Sequence, residues 1–206
     1  ISLLIAFAGG ALVFLIGLVY LFIAVQSDLG VNRNLVIVSM ILGLLPVGIM
    51  GPQMAAVVDV PPIHDITTDT VNPPEFVAIV PLRKNSPNGY EYGVSEGWPA
   101  EKLGATTIAA YPRLKPIESD LSVADAVGRT EATLLSMGLE IVAVDRGAGL
   151  VEATATTFWF GFKDDIVVRV VGDGEGSKID LRSMSRVGQS DVGANAARIT
   201  DFFDHF

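Results

Sequence analysis

Three groups of residues in this 206-residue sequence carry side chains able to do chemistry. The first is His64-Asp65 with Asp69. An imidazole beside two carboxylates is the nucleus of a metal site or a general base. A hydrolytic metal centre needs further histidines, however, and the sequence holds only one more, His205. A lone imidazole of this kind more often bonds a neighbouring loop, so no metal is assigned. The second group is Lys163-Asp164-Asp165. Adjacent carboxylates on a strand point to opposite faces, which suits them badly to share a proton or a metal. The third is Arg182-Ser183-Met184-Ser185-Arg186, followed by Gly188, Ser190, Asp191, Asn195 and Arg198. Arg182 and Arg186 lie on one strand face, and Asn195 and Arg198 share a side of a helix. Beside a helix N-terminus they can form an anion or headgroup pocket. They can equally form an internal network in which Asp191, Asp165 and Asp69 satisfy the arginines. The excess of acids over bases favours the network.

The elements that must position these residues follow from pattern. Ser122 with Asp125 three residues on reads as a helix start, and Val123, Ala126, Val127, Leu134 and Met137 recur near helical period. Gly138 stops the helix, which is expected over 122–137. Leu139–Val144 and Val151–Thr156 alternate around the glycine-bearing turn 146–149, a β-hairpin. The run Phe158-Trp159-Phe160-Gly161-Phe162 then breaks alternation. A second hairpin is registered by its side chains. Val168 opposite Leu181 and Val170 opposite Ile179 place Arg169 against Asp180, with Asp173-Gly174-Glu175-Gly176 as the loop. Ser190 is expected to cap a last helix with Asp191 in its first turn and Val192, Ala196, Ile199, Phe203 and Phe206 on one stripe. The fold class is therefore α+β: helix, two antiparallel hairpins, helix, with the helices on one sheet face, over 112–206. The preceding residues 59–111 read as an extended, irregular lead-in. Within it NSPNGYEYGVSEGWP (85–99) carries Tyr90, Tyr92 and Trp98, large rings that want a surface and are candidates for partner contact.

Residues 1–58 contain one acid, Asp28, and one base, Arg33, leaving 22 acids and 13 bases in 59–206. The uncharged runs 1–25 and 35–58 are each long enough to cross a hydrocarbon core of about 30 Å, joined by the polar turn 26–34. They read as a transmembrane hairpin, with Pro46 and Pro52 expected to kink or end the second helix and small residues (Ala6, Gly10, Gly48, Gly51) permitting close helix approach. Arg33 in the connecting turn favours a cytoplasmic loop, hence a bacterial inner-membrane protein with 59–206 in the periplasm. The missing initiator Met suggests a start part-way into the native protein. The acidic balance is a poor match for nucleic acid, and zero cysteine removes thiol chemistry. Neither a nucleophile elbow nor a cofactor fingerprint is present.

Three ordered blocks also resemble a known family. They are Pro62-Ile63-His64-Asp65-Ile66-Thr67-Thr68-Asp69 with Pro73-Pro74-Glu75-Phe76; Trp159 through Val170; and Asp180 through Asp191 with Asn195-Ala196-Ala197-Arg198-Ile199. Together they resemble the bacterial domain-of-unknown-function family numbered 1499, over most of 60–200. The resemblance implies hydrophobic spans ahead of the domain and marks the three blocks as the candidate functional surface. It implies no reaction.

The expectation is a non-enzymatic, membrane-anchored accessory subunit without cofactor, whose partners are membrane lipids and an integral membrane protein. The alternative is a module for lipid or another amphipathic small molecule, with Arg182, Arg186 or Arg198 on the headgroup.

Overall fold

The computed structural model describes residues 2–26, 32–158 and 160–206. The chain divides into two compact units, Ile1–Asp59 and Val60–Phe206.

The first unit is a pair of helices, α1 (Ser2–Gln26) and α2 (Arg33–Asp59). Within α1, Ile5–Gln26 is long and apolar enough to cross a membrane, whereas the apolar stretch Arg33–Ile49 of α2 is shorter. α2 runs on through Pro46 and Pro52 without ending. The two helices touch where Gly10 faces the backbone of Gly43, and a Cβ on Gly17 would run into the Met40 side chain. Gly10 fulfils its expected role, but Gly48 and Gly51 have open space in place of a neighbour.

The second unit is α+β. Its elements are β1 (Asp65–Thr67), a short 3-10 turn (Val80–Arg83), α3 (Ala100–Ala110), β2 (Ile117–Ser119), α4 (Val123–Ser136), β3 (Glu140–Asp145), β4 (Leu150–Thr156), β5 (Lys163–Asp173), β6 (Gly176–Ser185) and α5 (Ala194–His205). The antiparallel sheet runs β1-β6-β5-β4-β3, and β2 also pairs with β6. β1 covers Arg182–Met184 and β2 covers Ser177–Ile179, so two three-residue strands close most of the edge that β6 would otherwise expose.

α4 begins where expected, Ser122 Oγ accepting the Asp125 N–H at 3.2 Å and donating to the Asp125 carboxylate at 2.6 Å. The left-handed Gly138 (φ +79°) ends it. The β5–β6 register is the one the side chains require: Val168 opposite Leu181, Arg169 opposite Asp180, Val170 opposite Ile179. The ladder closes at Asp173 and Gly176, leaving only Gly174-Glu175 to turn.

β5 lies mid-sheet and is buried on both sides. Ile166 and Val168 join Val127, Leu134, Leu181, Ile199 and Phe202 in the core under α4 and α5. Val167 instead packs with Met184, Phe76 and Ile79 of the lead-in. The lead-in is thus the second cover of the sheet. The sequence reading is corrected where α3 forms over Ala100–Ala110 behind Pro99, burying Leu103, Gly104 and Thr107 in a stretch expected to be irregular.

α5 corrects a second expectation. The helix begins at Ala194, not at Ser190, because Val192 (φ +56°) and Gly193 (φ +85°) are left-handed and cannot be helical. Asp191 does the capping, accepting from Gly193 N at 2.8 Å and Asn195 N at 3.0 Å. The buried stripe is accordingly Asn195, Ala196, Ile199 and Phe202, while Val192 is exposed.

Candidate functional site

The candidate residues fall on the two sides of the sheet, because neighbours in a strand face opposite ways. Asp165, Arg182 and Arg186 face the lead-in. Asp164, Ser183 and Ser185 face α5.

On the lead-in side, Asp165 is fully buried and accepts from Arg83 at 2.7 Å, from Arg186 at 2.8 Å through both carboxylate oxygens, and from Thr154 Oγ1 at 2.7 Å. Burial pushes this carboxyl up. The bonds from Arg186, Thr154 and Arg83 outweigh burial and hold it below the ordinary aspartate value. Burial lowers Arg83, the bond to Asp165 only partly offsetting it, and that same carboxylate raises Arg186. Next along β6, Arg182 makes a forked pair with Asp65, 2.9 Å on each arm. Its remaining donors reach the carbonyls of Pro74 (3.3 Å) and Tyr90 (2.9 Å). The guanidinium lies 5.0 Å from the Phe76 ring centroid and 5.4 Å from that of Tyr92.

On the other side Arg198 bonds Asp164 at 2.8 Å, Asn195 Oδ1 at 2.6 Å and Ser183 Oγ at 2.9 Å. Asn195 also donates to the His64 carbonyl and to Ser185 Oγ, tying α5 to β1 and β6. Asp69 pairs with Arg169 at 3.4 Å and caps the turn at Val71 and Asn72. Asp191 serves α5, not an arginine. Burial raises its pKa against the lowering effect of the Gly193 and Asn195 amides. Each of Arg182, Arg186 and Arg198 therefore bonds a carboxylate of its own fold.

Sequence reasoning missed Glu152 and Arg83. Glu152 is buried on β4, where it accepts the amides of Val77 (3.1 and 3.2 Å), Ala78 (2.7 Å) and Ile79 (2.9 Å). Three consecutive lead-in N–H groups close on one carboxylate. Strand alternation put Glu152 on the face away from the helices. Nothing in the pattern showed that this face is covered.

Two grooves open in the lead-in layer. One, about 550 Å³, has Arg182, Phe76 and Tyr92 in its lining with Glu75 and Glu91 exposed at its sides. The Tyr92 phenol is buried without a hydrogen-bond partner, and burial, with Asp65 nearby, raises it. The other, about 520 Å³, is lined by His64, Ser95, Trp98, Asn88 and Gln189 among others. Ser95 Oγ lies 3.3 Å from His64 Nε2, and His64 Nδ1 lies 3.4 Å from the Gln189 carbonyl. These are the atoms of a nucleophile and a base. Both contacts are long, and Asp65, the carboxylate beside this imidazole in sequence, is committed to Arg182. Tyr92 and Trp98, expected to meet a partner, pack against the unit's own core, whereas Tyr90 is 40% exposed at the mouth of the first groove. Among the described residues no group of three or more His, Asp or Glu side chains is placed to hold a metal ion.

Residues 65–206, from β1 to the C-terminal Phe206, match the family described as Protein of unknown function (DUF1499). The chain belongs to that family. The match to DUF1499 spans β1, which carries Asp65, and β6, which carries Arg182 and Arg186. Both members of the Asp65–Arg182 pair therefore lie inside the family domain. Among curated proteins no relative matches the chain.

Proposed function

We propose that this DUF1499 member is a non-enzymatic, membrane-anchored accessory subunit that docks an integral membrane protein through the groove beside Tyr90. The observation that carries the reading is the latch. Asp165, Asp65 and Glu152 pin the lead-in to the sheet through Arg83, Arg182 and three backbone amides, so the groove is preformed and little ordering entropy is lost on docking. Exposed Glu75 and Glu91, half-exposed Tyr90 and the 94%-exposed Val71 supply an acidic, partly aromatic mouth. That chemistry suits a partner segment carrying Lys or Arg beside an apolar anchor. α1 supplies the anchor, and α2 a second span, with the domain in the periplasm of the bacterial inner membrane. A tether raises the effective concentration of any partner in the same bilayer.

The lipid-module alternative has less support, because Arg182, Arg186 and Arg198 each already bond a carboxylate. The test is co-purification from native membranes in mild detergent. Glu75→Lys with Glu91→Lys is expected to deplete a stoichiometric partner while leaving the fold intact. Deleting 85–99 is the wrong probe, since it removes Tyr90's carbonyl from Arg182 and Tyr92 from the core. Unchanged recovery of the partner with the double charge reversal would count against the docking groove.

A further inference from the structure

The β4–β5 connection carries a feature that the docking groove does not use. From Ala153 through Phe162 the sequence has no charged residue, and the first one after it is a cation, Lys163, in a domain where acids outnumber bases. At the tip Phe158 is 91%, Phe160 55% and Phe162 49% exposed. Three outward phenylalanines within five residues form an apolar patch of a kind that soluble surfaces rarely leave uncovered.

The loop that presents them is built. Thr157 N donates to the Phe162 carbonyl at 2.8 Å, Gly161 N to the Thr157 carbonyl at 2.9 Å, and Phe162 N to Thr157 Oγ1 at 2.9 Å. The Phe160 and Phe162 rings stack at 5.5 Å. Folding thus holds these rings out toward solvent, where their burial in the core would have been the cheaper arrangement.

We propose that this tip is a lipid-interface probe: Phe158, Phe160 and Phe162 seat in the headgroup region of a bilayer. The proposal rests on the membrane-anchored reading, in which a spanning helix tethers the domain to a bilayer. Phenylalanine is among the residues that interfacial segments sink into the headgroup–acyl boundary, and Lys163 behind the rings suits anionic lipid. A protein cleft would also accept three rings, but among the described residues of the tip (157, 158 and 160–162) the one polar side-chain group is the Thr157 hydroxyl, which already serves the loop.

The absence of cysteine makes the test clean. The full chain carrying Phe158→Cys, and separately Phe160→Cys, is labelled with an environment-sensitive fluorophore and reconstituted into phosphatidylethanolamine–phosphatidylglycerol liposomes. A label on Glu175→Cys is the control. That residue lies past the far end of β5, about 33 Å away at ~3.3 Å per residue. Expected is a blue shift at 158 and 160, with quenching by spin labels placed shallowly in the bilayer, and a water-like, unquenched signal at 175. Water-like emission at 158 and 160 overturns the proposal. So does a blue shift without lipid quenching that grows with protein density, which would assign the tip to a second copy. Flotation of the same liposomes separates the two readings. If the chain floats and the tip is wet, only this inference fails; if it does not float, the anchor fails.

Discussion

Replacing Asp165 by Asn keeps the side-chain volume and removes one charge from the centre of the latch. Asp165 is fully buried, and its two arginine partners differ in access: the Arg83 side chain is 1% exposed and that of Arg186 14%. Breaking a buried pair by removing one partner costs about 3–5 kcal/mol, because the other charge stays buried and uncompensated. Here Arg83 bears most of that cost, while Arg186 relaxes toward water and recovers part of its share. The asparagine amide group also turns a donor toward guanidinium donors. The expected loss is about 4 kcal/mol, a large part of the roughly 5–15 kcal/mol that holds an ordinary domain together. Both tryptophans, Trp98 and Trp159, lie in the second unit, so their fluorescence during urea unfolding of the full chain in mild detergent reports that unit alone. The pH dependence adds a second constraint. The folded carboxyl is held below its ordinary value of 3.8, so its stabilisation is present above the unfolded value and is lost as pH falls through the folded one. The deficit of Asp165→Asn should therefore be full near neutrality and shrink below about pH 4. A loss under about 1 kcal/mol, or one that does not change with pH, would refute the latch as described.

Glu152→Gln leaves one acceptor where four amide contacts now converge and should cost about 2–3 kcal/mol, with limited proteolysis cutting first between 74 and 99. Protection of that segment equal to wild type would contradict it. Asp191 has the opposite sign to Asp165. Its folded pKa is raised, so its contribution is present below the unfolded value and is lost as pH rises through the folded one. Asp191→Asn should flatten the stability–pH profile above about pH 4, and an unchanged slope would reject the assignment. Gly149→Ala places a methyl against the Val170 carbonyl at a left-handed position (φ +67°) and should cost about 3 kcal/mol in the same urea assay, a value near zero being inconsistent with that turn.

How much of this was legible in the sequence depends on whether a residue's neighbours were local. Ser122 and Gly138 bracket α4 through bonds within a few residues, and the pairing of Arg169 with Asp180 is forced once Val168 meets Leu181. The strands β1 and β2 are three residues each, too short for any period to show, and exist only because β6 has an edge to offer. Glu152 and Arg83 were invisible for a related reason. Their partners lie some 75 and 82 residues away, in a lead-in whose prolines say extended but not where it docks. The start of α5 was misplaced because Ser190 is as good a cap by type as Asp191. Only the left-handed backbone at Val192 and Gly193 separates them. His64, Asp65 and Asp69 lie within six residues of sequence yet serve a groove, Arg182 and Arg169 respectively, so proximity along the chain was a poor guide to a shared site.

The most direct measurement of the proposed role is site-specific photocrosslinking from Tyr90 in native membranes, with a benzophenone amino acid in its place. Expected is one discrete adduct with an integral membrane protein, lost when Glu75 and Glu91 are changed to Lys. An adduct pattern indistinguishable from that of an exposed site remote from the groove, such as Glu175, would contradict a docking role for this face.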